Sequence, residues 1–209
     1  QIETLQSRNE RFQRLTSMIL TEEIFQETYI VRRLKIKESV KSFDCGDTDL
    51  NDFILNESLL YRKALLAVSY VVEDKKNNNR VAAYFSLAND RISLTDFKDK
   101  TEFNHFRKHR FVNEKRLRSY PAAKICRLGV DRLVKGTGMG SFLLAFIQSY
   151  FVINNKTGCR FLTVDAYSEA VPFYIKNGFV PLTPEDENSS TRLLFFDLND
   201  IVDDEVSEG

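Results

Sequence analysis

The run KGTGMG, residues 135–140, places three of the chain's eight glycines at alternate positions. It follows KICRLGVD, residues 124–131, which reads as a strand, and precedes the apolar run SFLLAFIQSYFVI, residues 141–153, which has the length of a helix. Glycines at such a junction have a definite physical use. The first N–H groups of a helix lack intrahelical acceptors, and the helix dipole adds partial positive charge at the same end. Without side chains in the way an anion can approach those donors closely, and phosphate is the usual guest. Two phosphate-binding patterns fail on spacing. A Walker A loop ends in Gly-Lys-Ser/Thr, but here Met139, Gly140 and Ser141 close the run with no lysine after the glycines. A dinucleotide fingerprint needs G-x-G-x-x-G, and Gly140 comes one place early for it. Tight packing alone stays open as an alternative.

The rest of the chain divides without an obvious linker. Residues 1–28 read as a helical extension, with Ser7 and Glu10 in capping-box spacing and Phe12, Leu15 and Ile19 on one face, suited to packing, dimer contact or a partner. A domain is expected over 29–198 and an acidic, frayed tail over 199–209. Tyr29 to Ile36 alternates as a first strand. From Asp47, a good N-cap, Leu50, Phe53, Leu60, Tyr61 and Ala64 predict one apolar helix face. LAVSYVVE (66–73) and VAAYFSLA (81–88) predict a hairpin across DKKNNNR, and the polar stretch 96–120 follows. After the glycine run, Gly158 is expected to stop the apolar helix and RFLTVDA (160–166) to form a strand. Ser168 is expected to cap a helix that contains Pro172 and ends at Gly178, and TRLLFFDL (191–198) closes the pattern as a strand. This order predicts an α/β chain with a mixed sheet and helices on its faces.

Charge and cysteine usage narrow the function classes. Thirty Lys and Arg balance thirty Asp and Glu, so no global field points to nucleic acid or a membrane surface. No apolar stretch reaches bilayer-spanning length, and QIETLQSRNERF lacks the plan of a signal peptide, so a soluble, cytoplasmic protein without a membrane partner is expected. Cys45, Cys126 and Cys159 are not spaced as metal ligands, and no metal is expected. A nucleophilic Cys126 would want a histidine partner, whereas His105 and His109 lie in a charged segment. That segment, RKHRFVNEKRLR over 107–118, carries six Lys and Arg against one Glu, with Phe106, Phe111 and Tyr120 interleaved. It fits a phosphate backbone, and it equally fits a solvated face. The chain beyond Asp197 has no Lys or Arg, and can neutralise the segment in the same molecule or a neighbour.

Lys135, Gly136, Thr137, Gly138, Met139 and Gly140 resemble the acyl-CoA loop, Q/R-x-x-G-x-G/A, of the GNAT superfamily of N-acetyltransferases, with lysine in place of the usual Gln or Arg. RLGVD (127–131) resembles the strand before that loop, and VDAYSEAVPFYIKNGF (164–179) resembles the family's closing strand and helix. A narrower resemblance joins FDCGDTDLNDFI (43–54), AYFSLAND (83–90) and SYPAAKICRLGVD (119–131) to the GNAT toxins of bacterial toxin–antitoxin pairs, which acetylate aminoacyl-tRNA.

The resemblance implies a GNAT-like, largely antiparallel sheet and acetyl-CoA as acetyl donor. It implies that Leu128, Gly129 and Val130 offer backbone groups to the pantetheine arm and a donor to the thioester oxygen. It implies that Lys135 and the amides of Gly136, Thr137, Gly138, Met139, Gly140 and Ser141 hold the pyrophosphate. Tyr174 resembles the residue beside the sulfur, a phenol able to act as general acid; without the resemblance, Tyr174 and Phe173 read as packing. Glu73, Asp90, Asp165 and Glu169 lie on segments able to border the site, but a water can serve as base, and none is singled out. The acceptor is then a small-molecule or peptide amine, or aminoacyl-tRNA held by Arg107, Lys108, Arg110, Lys115 and Arg116, with a homodimer or an antitoxin as protein partner. A non-catalytic module that binds acyl-CoA or protein is the alternative reading. The intact glycine loop and Tyr174 favour the enzyme.

Overall fold

The computed structural model describes residues 25, 27–108, 110–111, 117–153, 157–184 and 186–206. The expected cap at Ser7 and Glu10, the helix face at Phe12, Leu15 and Ile19, and the positions of His109, Lys115 and Arg116 lie outside the described residues. Among the described residues seven strands form one sheet: β1 (Tyr29–Arg33), β2 (Val68–Asp74), β3 (Arg80–Ser93), β4 (Ser119–Val130), β5 (Phe161–Tyr167), β6 (Val180–Pro181) and β7 (Thr191–Asp197), in the order β1-β2-β3-β4-β5-β7-β6. Neighbours are antiparallel except β4 and β5, which run parallel. The expected mixed, largely antiparallel sheet is therefore present. The β2–β3 turn works as its asparagines suggest. Asn78 and Asn79 take left-handed φ values of 52° and 54°, which asparagine tolerates better than most residues.

Alternation along the strands separates two faces. On the front face Tyr70, Val72, Phe85, Ile125, Leu162, Val164 and Leu194 pack with two helices, α4 (Met139–Val152) and α5 (Val171–Lys176). On the back face Val71 and Tyr84 pack under the 34–54 segment, while Ala122, Phe161 and Phe195 pack under α3 (Lys100–Lys108). The structure thus places a helix inside the stretch 96–120, where phenylalanines at 103 and 106 give a chain of polar residues a buried side.

Several local expectations are corrected. The segment from Asp47 forms α1 (Thr48–Asp52), a π-helical turn (Phe53–Glu57) and α2 (Ser58–Lys63). Phe53, Ile54, Ser58 and Arg62 are buried, whereas Leu60, Tyr61 and Ala64 are exposed. The wider turn changes the helical phase, so a 3.6-residue count starting from Leu50 loses the buried line. Helix α4 ends at Val152, with Ile153 already extended, so Gly158, at φ 55°, is not its stop. Ser168 does not cap α5. Its hydroxyl donates to the carbonyls of Ser189 and Ser190 at 2.8 and 3.2 Å, and α5 starts after Ala170 without a side-chain cap. Gly178, at φ 87°, does end α5. The acidic end, expected to fray, forms α6 (Asn199–Val206).

One buried carboxylate joins three of these pieces. Asp131, 2% exposed at the end of β4, accepts from Arg80 Nη2 at 2.6 Å, from the Leu133 amide at 3.1 Å and from the Asp44 amide at 3.2 Å. The Arg132 amide returns a bond to Asp44 O at 2.8 Å. Asp44 in turn accepts from the Gly46 amide and Asn51 Nδ2, while Asp47 caps α1 through the Leu50 amide at 2.9 Å. Most of the acids in FDCGDTDLN are therefore turn and cap acceptors that hold α1 against β4. Asp131→Ala would leave two amides without their acceptor. It should lower stability by about 2 to 3 kcal/mol, mainly through those amides, because Arg80 is partly exposed and its ion pair is screened. Denaturant unfolding measures this, and a loss within about 0.5 kcal/mol would contradict it.

Candidate active site

Strands β4 and β5 pair only at Ala122–Phe161, Ala123–Leu162 and Lys124–Thr163. β4 then runs on to Val130 and β5 to Tyr167 without pairing to each other, while β3 holds the other edge of β4 as far as Val130. A bulge accompanies the parting. Ser86 faces Arg127 and Leu87 faces Ile125, which leaves Cys126 as the extra residue. A bulge bends its strand and increases the local twist, and here it turns β4 away from β5. The β5-facing backbone of Cys126 to Val130 lies at the sheet's centre without a strand partner. Such groups need hydrogen bonds from something else.

Leu128 and Val130 turn their side chains toward the front core. Gly129 faces the back, where an added Cβ would come within 3.2 Å of both Leu50 and Phe43. Close approach of the 43–50 segment requires that glycine. Beyond Asp131, a 3₁₀ turn (Arg132–Val134) leads into the glycine run, and Thr137 Oγ1 donates to Val134 O at 2.7 Å. Gly136 and Gly138 take φ values of 84° and 89°, and a Cβ on either would meet nothing within 4 Å. These two glycines serve conformation and open approach. Gly140 differs, since its Cβ would press on the Phe173 ring at 3.1 Å. Tight packing thus explains one glycine of the three. Phe142 N–H bonds back to Gly138 O at 3.0 Å, whereas the amides of Gly138, Met139, Gly140 and Ser141 close no bond of this kind. Lys135 and Thr137 are exposed beside them, while the Met139 side chain is buried in the core and leaves only its amide for a ligand. Open donors at a helix start, with a lysine nearby, fit an anion such as a pyrophosphate.

The contact between Gly140 and Phe173 brings the start of α4 to α5. Next to Phe173 stands Tyr174, 7% exposed, with ring centroids 5.2 Å from Phe173 and 5.5 Å from Phe179 in edge-on contacts. It shares the front core with Met139, Val164 and Ala166, against which Leu128 and Val130 pack. Burial pushes the phenol up to about 12. Tyr174 therefore stays protonated throughout the neutral range.

The acidic residues of these segments separate clearly. Glu73 pairs with Arg32 at 2.6 Å across β1 and β2, away from the parting. Glu169 is exposed beyond β5. Asp90 accepts from Thr163 Oγ1 at 2.5 Å, and Asp165 pairs with Lys124, on the strands that part. Sequence reading did not single out this group. Its signal was the polar parity of 90, 124, 163 and 165, which has meaning only once β3, β4 and β5 are known to be neighbours. Cys126 lies at the bulge, with its thiol pushed up by burial, away from the thiolate character a nucleophile needs.

The basic segment is divided too. Lys108 is exposed at the end of α3, and Arg107 lies over Phe103 at 5.6 Å. Arg110 is turned inward, 4.3 Å over Phe106 and 5.0 Å over Phe195, with Asp197 at 3.8 Å, and burial lowers its pKa. Arg110 is thus engaged within the fold, with part of its side chain still exposed. Among the described residues no three His, Cys, Asp or Glu side chains gather as metal ligands, and no helix is long and apolar enough to cross a membrane.

A model of the acetyltransferase (GNAT) domain matches residues 90–197. Solved structures share the fold. A tyrosine-to-phenylalanine mutant of KacT superposes with a TM-score of 0.67 at 20% identity, over 84% of this chain and 98% of that one. AtaT complexed with acetyl-methionyl-tRNAfMet gives 0.62 at 22% identity, over 83% and 96%. A mutant AtaT toxin bound to the C-terminus of the antitoxin AtaR and acetyl-CoA gives 0.58 at 20% identity, over 83% and 96%. These likenesses show the fold.

The glycine geometry can be tested without ligand. Gly138→Ala should cost about 1 to 2 kcal/mol through its left-handed backbone, although the added methyl meets open space. Thermal or denaturant unfolding checks it, and an unchanged or raised stability would contradict the φ assignment.

Proposed function

The chain belongs to the GNAT acetyltransferase family, and we propose that it moves an acetyl group from acetyl-CoA directly to a primary amine. The observation that carries this reading is the meeting of two features at one place: the strand-free edge of β4 and the open amides of Gly138 to Ser141. Acetyl-CoA, when bound, supplies an activated thioester. The backbone of Leu128, Gly129 and Val130 offers the groups of a strand edge to its amide-bearing arm. Lys135 and the amides of Gly136 and of Gly138 to Ser141 hold the pyrophosphate, with Thr137, whose amide and hydroxyl both face Val134 O, and Ser141 beside it. Tyr174 holds a proton for the departing sulfur. Its high pKa keeps that proton in place at neutral pH; full transfer to a thiolate, whose conjugate acid lies near 8.5, is uphill from it, so the phenol serves first as a hydrogen-bond donor to the charge that develops on the sulfur.

For the acceptor we favour aminoacyl-tRNA. The fold is shared with AtaT in complex with acetyl-methionyl-tRNAfMet, and Arg107 and Lys108 stand together at the end of α3. Phosphate contact is accordingly assigned to Arg107 and Lys108, with Lys115 and Arg116 as further candidates by sequence. An antitoxin is the protein partner that this reading brings with it, by likeness to the AtaT–AtaR complex. A small amine is the second reading, favoured by the internal use of Arg110 and by Asp197 and Asp200 acting on it.

Four measurements test the assignment. Gly138→Glu, which sets a carboxylate among the open amides, should remain folded and lose acetyl-CoA binding in calorimetry; unchanged affinity would remove the loop from the site. Tyr174→Phe should lower turnover by about 10² to 10⁴ with acetyl-CoA affinity nearly unchanged, whereas full activity would dismiss it as the acid. Thiol release from acetyl-CoA should appear with charged tRNA at low salt. Replacing Arg107 and Lys108 together by Ala should weaken RNA binding and flatten its salt dependence. Acetylation of a polyamine but of no charged tRNA would select the small-amine reading.

A further inference from the structure

Helix α2 ends at a corner of the β1–β2 edge that acetyl transfer does not use. The Leu66 amide donates to Tyr61 O at 2.9 Å and the Leu65 amide to Arg62 O at 3.1 Å. Helices with this pair of closing bonds turn on one left-handed residue, ordinarily a glycine. Here Leu65 takes that place, at φ 57°. A leucine is strained there, because its Cβ crowds the following carbonyl. Its side chain recovers little inside the fold, being 81% exposed. Leu66 and Ile36 are 62% and 53% exposed at the same corner, and Leu60 and Tyr61 are exposed on α2. Single exposed leucines need no explanation, but a group of large apolar side chains at one corner marks an interaction surface.

The corner also holds a cavity, lined by Arg33, Leu34, Ile36, Arg62, Leu65 and Val68. Arg62 is 3% exposed. Its Nε donates to Lys35 O at 3.3 Å, its Nη1 to Ser58 Oγ at 3.1 Å and its Nη2 to Glu38 O. These acceptors are neutral, and among the described residues no ion pair joins Arg62 to a carboxylate. The Glu38 carboxylate is taken by Arg32, at 2.6 and 3.1 Å. A cation so buried, with neutral partners alone, favours the arrival of an anion. The rim repeats the sign. Over residues 33–41 and 60–66, Arg33, Lys35, Lys37, Lys41, Arg62 and Lys63 stand against Glu38 alone.

We propose that this corner docks a segment of a protein partner in which carboxylates stand next to bulky apolar side chains. One carboxylate enters the cavity between Arg33 and Arg62, and its apolar neighbours cover Ile36, Leu65 and Leu66. Leucine in a glycine's place is then explained: glycine would close the helix as well, but would leave the partner without that contact. The proposal does not rest on acetyl transfer, and β3 separates β2 from the strand that borders the gap. A second copy of this chain is disfavoured, because two such rims would meet like charge with like. A flat lipid surface would suit the leucines and leave the buried guanidinium unmet.

Binding and folding can be read separately on the full chain. The Arg62 Nε–H and Leu65 methyl resonances would be assigned by their loss in Arg62→Lys and Leu65→Gly. The wild-type protein would then be titrated with a blocked octapeptide of alternating leucine and glutamate and, in parallel, with its leucine–glutamine counterpart. Saturable shifts of both resonances with the glutamate peptide alone are expected; shifts with neither peptide, or equally with both, overturn the proposal. Leu65→Gly should weaken the glutamate peptide about fivefold or more while its Tm holds or rises, since glycine suits the left-handed backbone. Unchanged affinity would remove the surface, and a Tm lower by more than about 3 °C would assign Leu65 to the fold itself. Two further results would replace the partner: wild-type binding to phosphatidylglycerol vesicles, or a dimer in sedimentation velocity, lost in either case in Leu65→Gly.

Discussion

The separation of β4 from β5 governs the rest of this molecule. A sheet normally satisfies the backbone of its central strands completely, and failure to do so costs about 1 to 3 kcal/mol for each buried group left alone. Here the ladder stops at Lys124 and Thr163 while both strands continue. A gap at the centre of a sheet persists only if the surrounding structure holds the strands apart. The bulge at Cys126 redirects β4, and the full-length ladder with β3 keeps it in that direction. β5 is held on its other side by β7 along its whole length.

The elements around the gap can be understood as consequences of it. Asp131 secures the far end of β4 to Arg80 and to the Asp44 turn, so the freed strand does not fray. The Phe43 to Leu50 segment packs on Gly129 from behind. In front, α4 begins directly after the glycine run, and the Gly140–Phe173 contact holds the start of α4 to α5, whose Tyr174 is buried in the front core. A helix start, a proton-bearing phenol and a free strand edge are thereby collected from three distant stretches of chain. Each is ordinary alone. Their convergence is what supports acyl transfer from a long, amide-bearing anionic donor.

Much of this was legible in the sequence, and the reasons differ by residue. The glycine run could be read because left-handed backbone and open helix amides restrict the residue choice so strongly at Gly136 and Gly138. The longer strands and the β2–β3 hairpin followed from alternation and from the asparagine turn. The helix after Asp47 was misread in phase because one π turn at Phe53 to Glu57 shifts every later residue, and nothing in local composition marks it. Ser168 looked like a cap because serine before an apolar run commonly is one, but its hydroxyl is taken by the strand-proximal carbonyls of Ser189 and Ser190. Arg110 looked like a surface cation because charge alone was visible, and its stacking on Phe106 depends on tertiary placement. The Asp90, Lys124, Thr163 and Asp165 group was hidden for the same reason. Its members lie on three strands whose adjacency no local pattern states.

The central claim is that acetyl-CoA completes the sheet where β4 lacks a neighbour. Amide hydrogen exchange with and without acetyl-CoA tests this most directly. The account predicts new protection in two segments together, the β5-facing amides from Cys126 to Val130 and the helix-start amides from Gly138 to Ser141, with little change in the β1–β2 ladder. Protection confined to other elements, or none at saturating acetyl-CoA, would contradict it.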